Sequence, residues 1–124
     1  MTDRTTRLDI SALINATARL REGLECHLRV PQDEQVRDGL IQRFEYTYEL
    51  CHRMLRRCLQ DLIRTGDEHG LLRGDWPLWR RFRDMRARTS HTYSAAVAEQ
   101  VVAGIPEFLE ETTHLVEQPR QRLR

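Results

Sequence analysis

The chain has 124 residues, enough for one domain that buries about two-thirds of the surface its unfolded form exposes, so a core can form without disulfide or metal staples. A formal net charge of +1, with 31% of residues charged, excludes a globally basic nucleic-acid binder and leaves any RNA or DNA contact to a local patch. No run approaches the roughly 18 apolar residues of a membrane span, and the opening Met-Thr-Asp-Arg lacks the apolar stretch of a signal peptide, so the expectation is a soluble, cytoplasmic protein without membrane contact.

In chain order, apolar residues first recur at Ile10, Leu13, Ile14, Leu20, Leu24 and Leu28, with Thr17 on the same face, which predicts a helix over 8–28. Val30-Pro31 ends it, because the residue before proline is pushed out of the α region, and Asp33 can cap a second helix. Val36, Leu40, Phe44, Tyr48, Cys51, Leu55, Cys58 and Leu62 then step by three or four, predicting one long helix over 33–64. Gly66, Gly70 and Gly74 mark a loop over 65–75. Asp75 caps a third helix with Pro77 in its first turn, where a missing N–H costs nothing, and Trp79, Phe82 and Met85 follow at helical spacing. Thr89 and Ser90 interrupt that pattern. A fourth helix is predicted from 93 or 94 to 116, with Val97, Val101, Ile105, Phe108, Leu109, Thr112 and Val116 inward, a kink at Pro106, and a polar, frayed tail over 118–124. There is no strand-like alternation. Long amphipathic helices on short loops imply an all-α, up-and-down antiparallel bundle of four to five helices, one domain with its core in residues 8–117.

Every basic residue other than histidine is arginine, as a codon bias or a phosphate-binding role would each produce. Cys26, Cys51 and Cys58 are odd in number and sit inside helical patterns, which reads as reduced small hydrophobes. Glu49-x-x-His52 and Glu111-x-x-His114 have the spacing of di-iron bundles, but at about 100° per residue both pairs are placed off the apolar stripes, so no metal site and no cofactor are expected. Trp76, Trp79 and Phe82 could stack on bases or pack a core, and Arg53, Arg56, Arg57 and Arg64 have the pattern of a solvated face. The densest charge is Arg80, Arg81, Arg83, Arg86 and Arg88 against the single acid Asp84, with His91 just past a helix break. Such a patch can hold phosphate while a histidine beside it moves protons near neutral pH; a solvated face is the competing reading.

Two stretches weigh on that choice. RDGLIQRFEYTYEL (residues 37–50) and DMRARTSHTY (residues 84–93) resemble the two signature segments of the HepT-like HEPN proteins, also known as nucleotidyltransferase substrate-binding proteins, and the similarity extends over about residues 8–117. The second segment carries the family pattern Arg-x4-His-x-Tyr at Arg86, His91 and Tyr93. The resemblance implies a homodimeric helical bundle, a toxin paired with a minimal nucleotidyltransferase antitoxin, and metal-independent RNA cleavage. In that scheme Arg86 stabilises charge on phosphorus and His91 serves as general acid or base. It further implies that the partner transfers AMP to Tyr93, with Arg80, Arg81, Arg83 and Arg88 as weaker RNA contacts. The alternative within the same resemblance is a non-catalytic subunit that binds substrate for the nucleotidyltransferase. The sequence departs from the pattern at Ala87, where these nucleases usually carry a polar residue, often Asn, and in a loop over 65–75 that is shorter than the family's.

Overall fold

The structure, a computed structural model, describes residues 2–65, 76–91 and 94–122, with side chains described for 10–54, 78–91 and 94–117. Four helices, α1 (Thr2–Arg29), α2 (Glu34–Thr65), α3 (Trp76–Arg88) and α4 (Ala95–Arg122), are accompanied by a 3-10 turn at Thr89–His91 between α3 and α4. No strand occurs among the described residues, so the class is all-α.

Local chemistry sets the boundaries. The α1 helix closes with the Val30 N–H on the Cys26 carbonyl, and the chain reverses as the Asp33 N–H meets the Val30 carbonyl. Asp33 then caps α2: its Oδ1 accepts from the Gln35 N–H at 2.9 Å and the Val36 N–H at 3.1 Å, two donors that no earlier turn could satisfy. Asp33→Ala is therefore expected to lower stability by about 1 kcal/mol, read as an earlier urea midpoint at unchanged slope. At the other junction the Ser94 N–H bonds the His91 carbonyl, and the Ser94 carbonyl takes the first bond of α4.

Two helix ends differ from expectation. The α1 backbone is helical from Thr2, six residues before the predicted start at residue 8, and α4 continues unbroken through Pro106 to Arg122 rather than stopping at 116. Apolar periodicity marks only the stretch where an apolar face repeats, whereas the backbone hydrogen bonds of a helix can carry it beyond that stretch. For the same reason Leu28, counted on the inward face of α1, is 69% exposed: it lies in the last turn, where the chain is leaving the bundle.

Cross-helix contacts fix the directions. Thr47 Oγ1 reaches the Ala16 carbonyl and Arg43 Nη1 the Arg19 carbonyl, so numbers rise in α2 as they fall in α1. Arg81 with Glu107, Met85 beside Gly104 and Arg88 with Gln100 show the same antiparallel order for α3 and α4. The core is joined by Phe108 of α4. Its ring meets Phe44 of α2 edge-on at 4.9 Å and Phe82 of α3 at 5.0 Å, and Trp79 and Tyr48 border it at 6.3 and 6.4 Å. Phe44, on the apolar stripe of α2, is fully buried by these contacts, and Tyr48 is nearly so. Trp79 and Phe82 are committed to the same cluster and are not free to stack on bases; the side chain of Trp76 lies outside the described residues.

Candidate functional site

The arginine-rich helix α3 distributes its charges by simple rotation. With Phe82 facing the core, steps of about 100° put Arg86 near +40°, Arg83 near +100° and Arg80 near +160°, a row that climbs one flank, while Arg81 and Arg88 fall near −100° and −120° on the other. The structure agrees. Arg81 pairs with Glu107 at 2.7 Å and Arg88 bonds the Gln100 side chain at 3.0 Å, both against α4 and both on a cleft of about 310 Å³ shared with Asp84, Met85 and Gly104. Arg86 faces the other way, toward α2. Five arginines that look like one patch in the sequence are thus two sets, and the α4-facing set is already engaged by side-chain acceptors.

Arg86 is the most constrained of the five. Its Nε donates to Glu49 Oε1 at 3.2 Å, and its Nη1 donates to Thr89 Oγ1 at 3.1 Å with Glu45 Oε2 3.9 Å away. The Thr89 hydroxyl in turn donates to the Arg86 carbonyl at 2.6 Å, so the guanidinium is tied to the 3-10 turn that carries His91 at its end. Ser90 Oγ donates to the Ala87 carbonyl at 3.1 Å, which holds the same turn from the other side. His91 is exposed, while Arg86 is half-buried with its side chain 35% exposed. Tyr93 lies outside the described residues.

The α2 side of this site consists of Glu45, Tyr48, Glu49 and His52. Tyr48 stacks on His52 with ring centroids 6.1 Å apart. Burial pushes the Tyr48 phenol above its ordinary range; Arg83 and, more weakly, Arg86 pull it down, and Glu49 pushes it up. The phenol is therefore neutral at physiological pH and able to donate a hydrogen bond at the border of the site. Sequence reasoning set Arg86 in the centre but missed that Glu45 and Glu49 hold it. The signal available was their i, i+4 spacing on the solvent flank of α2, which fits many exposed helices equally well.

Other candidate chemistry is accounted for in different ways. Glu49 of the Glu-x-x-His pair in α2 faces Arg86, and His52 faces Tyr48. Glu111, expected off the α4 stripe, is only 5% exposed: it sits about 60° from Phe108, inside a buried arc broadened by Thr112 and Leu115. Among the described residues no three His, Cys, Asp or Glu side chains converge as metal ligands would. Cys51 is fully buried, which pushes its thiol far above the usual range and keeps it inert, and Cys26 is a half-buried free thiol. No described helix is long and apolar enough to cross a membrane.

Comparison with known proteins places these features in context. The family described as "Nucleotidyltransferase substrate binding protein like" matches residues 8–121. The chain is 41% identical to a Haemophilus influenzae protein named "Probable ribonuclease HepT", over 68% of this chain and 67% of that one. The solved structure of HI0074 from Haemophilus influenzae, described as the fold of a substrate-binding domain of a nucleotidyltransferase, superposes with a TM-score of 0.62 at 33% identity, covering 94% of this chain and 98% of the other.

Proposed function

The chain belongs to the HepT-like family of nucleotidyltransferase substrate-binding proteins, and from that premise we propose that it is a metal-independent ribonuclease of a toxin–antitoxin pair, acting through Arg86 and His91. The observation that carries this reading is the tie between the two residues: Arg86 is bonded through Thr89 to the turn that ends in His91, so a guanidinium and an imidazole belong to one hydrogen-bonded corner. Such a corner suits transesterification of RNA. The ribose 2′-oxygen attacks phosphorus as its proton is removed, the bond from phosphorus to the 5′-oxygen breaks, and that oxygen takes up a proton. His91 moves the proton, and Arg86 stabilises the charge that develops on the phosphoryl oxygens. The row Arg80, Arg83 and Arg86 gives the RNA backbone a path along the α2-facing flank; Arg81 and Arg88, held against α4, contribute less.

The finer elements of the reading concern assembly and control. The partner is a minimal nucleotidyltransferase acting as antitoxin in the cytoplasm, and it transfers AMP to Tyr93, two residues after His91, setting phosphate and a bulky adenosine beside the arginines. The active form is a homodimer whose isologous contact brings two Arg86–His91 corners near each other. Ala87 and the description of HI0074 as a substrate-binding domain favour the second reading, a subunit that binds but does not cleave.

One set of measurements decides between them. The protein is expected to sediment as a dimer at micromolar concentration, to cleave RNA in excess chelator and to leave 2′,3′-cyclic phosphate ends. After incubation with the partner, ATP and magnesium it should gain the mass of one AMP and lose cleavage, while Tyr93→Phe gains nothing and stays active. No cleavage in either state selects the binding subunit, and an equal mass gain in Tyr93→Phe removes Tyr93 as acceptor.

A further inference from the structure

We infer that Glu49 is the positioning residue of Arg86, with Glu45 as an electrostatic support, so that Glu49 and Thr89 together fix the plane of the guanidinium and leave its Nη2 end to meet a phosphate. The inference rests on the ribonuclease reading for its consequence but on geometry for its content. An arginine carries five N–H donors on three nitrogens. Here the Nε–H is taken by Glu49 Oε1 and one N–H of Nη1 by Thr89 Oγ1, with the second carboxylate, Glu45 Oε2, at 3.9 Å, while Nη2 has no partner among the described residues. Two anchors from different elements, one on α2 and one on the turn after α3, define the plane of the fork. A single anchor would leave the side chain free to rotate about its bond to that anchor. The remaining nitrogen is then the one positioned to stabilise a phosphoryl oxygen, and its direction is set before substrate arrives.

The carboxylates have an opposite effect on ground-state binding, because each places negative charge near the path of the RNA backbone. Their benefit must therefore appear in the chemical step and not in affinity. Glu49 and Arg86 are 48% and 35% exposed at their side chains, so the pair contributes little to stability and its variants are expected to fold.

The test uses the full-length protein and an RNA substrate under steady-state conditions. Glu49→Ala is expected to lower kcat by about 100-fold with KM unchanged or lower, because the loss is one of orientation. Glu49→Gln keeps an oxygen acceptor for Nε–H and should recover to within about threefold of wild type, and Glu45→Ala, which removes only a charge beyond hydrogen-bond reach, should fall by about threefold. A purely structural role would not produce rescue by the isosteric amide together with a kcat effect and no KM penalty. The second readout needs no cleavage: the Arg86 Nε–H resonance, assigned by its loss in Arg86→Lys, should exchange slowly with water in wild type and Glu49→Gln and rapidly in Glu49→Ala. Cleavage by Glu49→Ala at the wild-type rate, or an Nε–H signal unmoved by that change, overturns the positioning role. Wild-type protein that cleaves no RNA overturns the ribonuclease reading, and the exchange measurement then still decides whether Glu49 fixes Arg86.

Discussion

Arg86→Ala and His91→Ala are each expected to lower RNA cleavage by at least about two orders of magnitude while leaving helix content unchanged. Arg86 is lost as the stabiliser of charge on phosphorus. The magnitude follows from what one preorganised donor is worth in such sites, about 3 to 4 kcal/mol of barrier. His91 is lost as the group that moves a proton, worth roughly 10²- to 10⁴-fold. Arg86→Lys should not rescue, because an ammonium cannot reproduce the fork that bonds Glu49 through Nε and Thr89 through Nη1. The double variant should be scarcely worse than either single one if the two residues act in the same step. Both side chains reach solvent, so neither change opens a cavity in the core. Wild-type cleavage persisting in His91→Ala would remove proton transfer from that residue and return it to the role of a turn terminus.

The second large effect lies in the core. Phe108→Ala is expected to cost about 3 to 5 kcal/mol, because the ring is fully buried and meets Phe44 and Phe82 at edge-on distances while Trp79 and Tyr48 close around it. For a chain of this length that corresponds to a fall in Tm of roughly 10–20 °C, measured at one fixed protein concentration so that self-association does not contribute. Phe108→Leu should cost less than half as much, since a branched aliphatic side chain fills most of the space. The loss should also reach the site, because Phe108 is what holds α3 against α2 and so brings Arg86 within reach of Glu49. A loss below about 1 kcal/mol would show that the ring is not the junction of the bundle.

Residues three or four apart along the chain carry enough information to define the helices and much of their inward faces. Asp33 as a cap, the break at Val30-Pro31, the long stripe through Phe44, Tyr48 and Cys51, and the interruption at Thr89 and Ser90 were all legible, because each depends on neighbours within about one turn of helix. The two signature segments placed Arg86 and His91 together for the same reason: they are five residues apart on one corner. The relations between helices were not legible in this way. Glu49 is 37 residues from Arg86, and nothing in the local pattern says which flank of α2 will meet which flank of α3. That choice comes from how Phe44, Phe82 and Phe108 interlock, and it separates Arg86 from Arg81 and Arg88 although the five arginines form one run in the chain. Burial of Glu111 and exposure of Leu28 obey the same rule. A residue's rotation about its own helix axis is fixed locally, but the neighbour it finds there is fixed by packing, which no single-helix periodicity encodes.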